Sequence, residues 1–198
     1  MARNKANMLG DAARIRLLAS PARQEVMDTL EALGGEATVA EIAQQLGKSA
    51  DGLYYHLRLL VRGGLVEQGS HSTDARRFRT RSGKGGRTRL RYQPGATANA
   101  AAVERVAAGL LRIAGRDFAA AVARRDVIAE GRHRELWASR IKGWVSNVEL
   151  AEINRLLERL GELMQGRRDG DRQRLLSLAW ILAPVPEKAA RRAGQTRG

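Results

Sequence analysis

Residues 38–62 read TVAEIAQQLGKSADGLYYHLRLLVR, and this stretch decides the fold. Thr38 and Glu41 stand at capping-box spacing, the arrangement that satisfies the free N–H groups opening a helix. Behind them Val39, Ile42, Ala43 and Leu46 recur at helical spacing and face inward. Gly47 ends that helix, and Ser49 caps a second one running to about Arg62, before Gly63 and Gly64. Leu53, Leu57 and Leu60 form its inner stripe. At about 100° per residue, Asp51, Tyr54, Tyr55, Arg58 and Arg62 fall on the opposite face. Two short helices joined by a tight glycine turn form a helix-turn-helix, whose second helix enters the DNA major groove. An ordinary solvated face would carry Glu and Lys where this one carries two tyrosines and two arginines.

Upstream, a first helix is predicted over residues 9–18. Ser20 and Pro21 open another, since proline suits the first helical position. Val26, Leu30 and Leu33 line it, and Gly34-Gly35 stops it. Downstream, residues 65–68 and 88–92 read as two strands around a glycine-bearing loop. Residues 76–91 hold Arg76, Arg77, Arg79, Arg81, Lys84, Arg87, Arg89 and Arg91 without one acid. Such a block is held by an anion or stays without fixed structure. Beside a helix-turn-helix it reads as a basic wing spanning residues 65–92. Four phosphate contacts from each of two wings would give a log–log salt slope of about −7.

Residues 14–93 resemble the winged helix-turn-helix domain of ArsR-type bacterial transcription regulators. The resemblance rests on Leu18 to Arg23 (LASPAR), Val39 to Ala43 (VAEIA), Ser49, Tyr55 to Leu60 (YHLRLL) and Gly64-Leu65-Val66. It implies a homodimer with the fourth helix in the major groove and the wing against the backbone or minor groove. Ser49, Asp51, Tyr54, Tyr55 and Arg58 are then the groove-facing set, with Thr38 at the head of the preceding helix. Many relatives sense metals through cysteines; this chain has none, and its C-terminal half is longer.

That half is expected to be helical throughout. A turn at Gln93-Pro94-Gly95 separates a DNA-binding domain, residues 1–95, from a dimerisation or effector domain, residues 96–186. Predicted helices cover residues 98–123, 126–145 with Trp137, Ile141 and Trp144 on one stripe, a capped helix from Ser146, and 172–182 with Trp180. Leu150, Ile153, Leu156, Leu157, Leu160 and Leu163 should face inward. The tryptophans could line a small-molecule effector pocket; a core or dimer seam is the plainer reading. Residues 187–198 read as a disordered tail.

Composition narrows the function. The chain has 198 residues, 35 Lys+Arg against 21 Asp+Glu, a net charge of +14 and no cysteine. Cysteine nucleophiles, disulfides and Cys-ligated metals are excluded. The charge points to a polyanion, with nucleic acid as the default partner. It divides evenly, +7 in residues 1–95 and +7 in 96–198. The longest uncharged apolar stretch, residues 175–186, is shorter than the ~20 residues a membrane helix needs. A cytoplasmic protein without membrane contact is expected.

No enzyme is expected, and no cofactor or metal: no Ser/His/Asp order, HExxH or carboxylate pair stands out. Ser82 to Thr88 (SGKGGRT) lacks the Gly-Lys-Ser/Thr ending of a phosphate loop. His56 falls toward the leucine stripe and reads as packed. His71 with Asp74, and His133 with Glu130 and Glu135, read as ordinary surface groups. The fold class is mainly α, a winged helix-turn-helix with a small β-hairpin plus an α-helical C-terminal domain. The function expected is a dimeric, sequence-specific regulator on double-stranded DNA; the rival is a nucleoid- or RNA-associated protein of low sequence preference.

Overall fold

The structure is a computed structural model, and it describes residues 8–69, 76–81, 88–165 and 168–185. The expected positions Lys84, Arg87, His71 and Asp74, and the tail 187–198, lie outside these.

The chain runs β1 (Met8–Leu9), α1 (Ala12–Leu18), α2 (Pro21–Ala32), β2 (Glu36–Thr38), α3 (Val39–Leu46), α4 (Ala50–Arg62), β3 (Val66–Gln68), β4 (Arg77–Thr80), β5 (Arg89–Leu90), α5 (Thr97–Val122) and α6 (Asn147–Leu163). The helix-turn-helix is α3 and α4. The capping box forms: Glu41 N–H donates to Thr38 Oγ1 at 3.2 Å, and Thr38 N–H donates to Glu41 Oε2 at 2.7 Å. Gly47 closes α3 in the left-handed conformation, φ 61°, which a residue with a Cβ adopts only at a cost. Ile15, Val26, Leu30, Ile42, Leu57 and Leu60 are almost wholly buried and make the centre of the core.

Three readings of the sequence are corrected in this half. The first helix starts at Ala12, capped by Asp11, because Met8–Leu9 is a strand. The partner of β3 is β4 rather than residues 88–92. Phe78 and Thr80 alternate inward along β4, a period-2 signal that the surrounding arginines mask. β4 lies between β2 and β3, antiparallel to both. The strand expected at 88–92 shortens to β5, which pairs in parallel with β1.

The turn at Pro94-Gly95 leads into α5. Asn99, Ala102, Val106, Gly109 and Ile113 are its buried positions, alternating three and four residues apart as one helical stripe. Ala102 and Val106 belong to the same core as the helix-turn-helix. Asn99, itself buried, accepts from Gln93 N–H at 3.0 Å and donates to Gly10 O at 3.1 Å and Arg91 O at 3.2 Å. One amide thereby joins the ends of β1 and β5 to α5. Gln24 of α2, also buried, donates to Val106 O at 3.0 Å. A Cβ at Gly109 would stand 2.9 Å from the Gln24 side-chain oxygen, so glycine permits this close approach.

The C-terminal half departs most from expectation. α5 and α6 form, and Ser146 with Glu149 makes the second capping box. Residues 126–145 and 172–182 are not helical; 134–146 and 172–185 run without helix, turn or bend. Local propensity is a weak prior that tertiary context overrides, and the glycines and β-branched residues of the first segment oppose a helix. The leucines of α6 expected to face inward are half-buried or exposed in the single chain. No helix among the described residues is long and apolar enough to cross a membrane.

Candidate nucleic-acid interface

The inner stripe of α4 fixes its outer face. Leu53, Leu57 and Leu60 are buried, so Asp51, Tyr54, Tyr55, Arg58 and Arg62 must point away, and all five are exposed. Tyr54 and Tyr55 are 37% and 56% exposed, too open to be core residues. Among the described residues, Arg58 and Arg62 make no ion pair. Arg14 secures the far end of the helix by donating to Gly63 O at 2.9 Å and Gly64 O at 2.7 Å.

At the start of α4, Ser49 stands at the cap position but its side chain makes no capping bond. Ser49 borders a pocket of about 250 Å³ together with Ala22, Lys48, Gly52, Leu53 and His56. Lys48 is tied to Glu25 at 3.0 Å. His56 is half-buried as expected and meets Tyr55 edge-on, ring centres 5.4 Å apart. Its Nδ1 is buried without a hydrogen-bond partner among the described residues. Burial, with Arg23 and Lys48 nearby, holds its pKa below the ordinary 6.5. Thr38, half-buried, spends its hydroxyl on the α3 cap.

Residues 76–91 of the wing are acid-free in sequence, but their arginines meet acids in space. Arg79 faces Glu36 on one neighbouring strand and Glu67 on the other. It donates to Glu67 at 2.9 Å, and Arg81 reaches the same carboxylate at 3.3 Å. The bond from Arg79 is the main cause holding the Glu67 pKa below its usual value. Arg77 pairs with Glu36 at 3.0 Å and lies 3.9 Å from Glu41. Arg89 sits in β5, away from the hairpin, 3.7 Å from Glu158. Arg76 is exposed at the start of β4. The structure thus brings Arg77, Arg79 and Arg81 together and separates Arg89 from them. Glu36 and Glu67, which modulate the wing, escape a reading of the sequence because strand pairing rather than proximity along the chain sets them opposite the arginines.

The tryptophans do not build a core in the single chain. Trp137 is 67% exposed under the Arg134 guanidinium, and Trp144 is 88% exposed. The larger pocket, about 470 Å³, is lined by His133, Arg134, Glu135, Arg174 and Leu176, none of them a tryptophan.

A family described as a helix-turn-helix domain matches residues 18–69, from the end of α1 to just past β3. No curated protein matches the chain. The chain carries a helix-turn-helix domain over that span, and its arrangement of helices is one that binds DNA.

Proposed function

We propose that this chain is a dimeric, sequence-specific, DNA-binding transcription regulator of the ArsR type, acting in the cytoplasm. The observation that carries the reading is the outer face of α4: two exposed tyrosines and two arginines with no acidic partner among the described residues. Arginine can chelate a guanine edge in the major groove, and Tyr54 and Tyr55 can meet thymine methyls or phosphates. Residues 1–95, closed by the start of α5, form the reading head, and the remainder joins two heads at a fixed spacing. Dimerisation is supported by a second, outward stripe on α5, where Leu111, Phe118 and Val122 are exposed. The wing adds phosphate contacts from Arg76, Arg77, Arg79 and Arg81, with the last three partly offset by Glu36 and Glu67.

Selection of bound fragments from genomic DNA should yield a two-fold symmetric site. That site should be preferred over random DNA by more than 10³-fold, as specific binders usually are, whereas a preference under about tenfold would establish the low-specificity nucleoid or RNA reading instead. Arg58→Ala should weaken binding to the selected site by about 1–3 kcal/mol if the arginine reads a base. Equal loss on random DNA would reassign it to a phosphate.

A further inference from the structure

Glu25 lies on α2 between the buried Gln24 and Val26, and its own side chain is only 12% exposed. A carboxylate so far from water is costly unless a cation within the protein offsets it. Two are in reach. Lys48 donates to Oε2 at 3.0 Å, and Arg116 donates to Oε1 at 2.7 Å. Each oxygen holds one cation, and the two cations come from different parts of the chain.

Lys48 stands in the turn of the helix-turn-helix, two residues before α4. With Ser49 and His56 it borders the 250 Å³ pocket at the start of that helix. Its side chain is 43% exposed. A lysine ammonium on a flexible four-carbon stem can change partner without movement of the backbone. Arg116 stands on α5, three residues beyond Ile113. It therefore prolongs the stripe of Asn99, Ala102, Val106, Gly109 and Ile113 that faces the head. Its guanidinium also donates to Asp117 at 2.9 Å.

A helix-turn-helix seated on DNA has phosphate oxygens close to the start of its second helix. Turning to such a phosphate takes Lys48 away from Glu25. An uncompensated carboxylate at that depth would then count against DNA binding. Arg116 lifts this penalty, because it keeps Glu25 paired while Lys48 is engaged elsewhere.

We propose that Lys48 is a phosphate-binding residue of the interface, and that Arg116 of α5 is the positioning residue that frees it by holding Glu25. This rests on the DNA-binding reading above and adds a link from the C-terminal half to the reading head. A movement of α5 that withdraws Arg116 returns Lys48 to Glu25 and loosens the hold on DNA.

Binding of the full chain to mixed-sequence double-stranded DNA over a range of salt tests this, because a phosphate contact acts on any sequence. Lys48→Ala should weaken binding about 5- to 10-fold per copy in ~0.1 M salt and flatten the log–log salt slope by about 1 per copy. Arg116→Gln should have the same two effects, and Arg116→Lys, which keeps the charge, should recover most of the loss. Glu25→Gln leaves Lys48 free, so the double variant Glu25→Gln with Arg116→Gln should bind as well as wild type. Lys48→Ala with Arg116→Gln should bind no worse than Lys48→Ala alone. Helix content by circular dichroism certifies the fold of each variant. An unchanged slope in Lys48→Ala would overturn the proposal. So would an Arg116→Gln loss that persists in either the Lys48→Ala or the Glu25→Gln background, since Arg116 would then act without Lys48. A wild-type chain with no affinity for DNA would instead defeat the DNA-binding reading, and this proposal with it.

Discussion

His56 shows how one side chain can set a pH dependence. It packs beside the leucine stripe of α4 with a ring nitrogen buried and unbonded among the described residues, near two cations. Its folded pKa lies below the ordinary 6.5, so near and below that value the unfolded chain binds more protons than the native one. Stability from this residue is therefore complete above pH 6.5 and declines as pH falls through the folded value. The melting temperature should drop between about pH 7.5 and 5.5, and His56→Gln should flatten that part of the profile. An unchanged profile would mean that other groups set the slope. The placement of His56 is legible in the sequence, because helical periodicity alone puts it next to Leu53, Leu57 and Leu60. Its unbonded nitrogen is not, because that depends on what α2 and the turn before α4 bring against it.

At the scale of elements, periodic signals hold where capping residues mark the start of the element. α3 and α4 follow from capping residues, a terminal glycine and leucine spacing, and the structure reproduces them. The exposed set on α4 was legible for the same reason. The wing hairpin was not: β4 spans four residues, Arg77 to Thr80, and its inward Phe78 is flanked by charges. Nor was the Glu36–Arg79–Glu67 row, which exists only once three strands stand in register. That row makes the wing adjustable. Glu67→Gln should release Arg79 and Arg81 and steepen the log–log salt dependence of DNA binding by about 1 to 2 per copy. An unchanged slope would show that neither arginine reaches phosphate. The segments 126–145 and 172–182 misled because apolar residues at helical spacing are a weak prior that context overrides, and neither segment is helical in the structure.

Across the whole molecule, α5 is the lid of the DNA-binding head as well as the first element of the C-terminal half. Gly109→Val should force Gln24 from its bond to Val106 and cost about 1–3 kcal/mol, seen as a lower urea midpoint. Because Ala102 and Val106 share the core of α2 and α4, that loss should appear in one unfolding transition for head and α5 together. Two separate transitions, with only the α5 one shifted, would show the lid to be independent.

The pairing of β1 with β5 also bears on how the protein is made. Met8 and Leu9 leave the ribosome early but are matched by Arg89 and Leu90, and the amide of Asn99 that ties both ends follows later still. A nascent chain halted at Gly95 would have both helices of the reading motif yet lack Asn99, Ala102 and Val106. Emergence of Val106 from the ribosome, rather than completion of the helix-turn-helix itself, should then be the point at which a growing chain first gains resistance to protease.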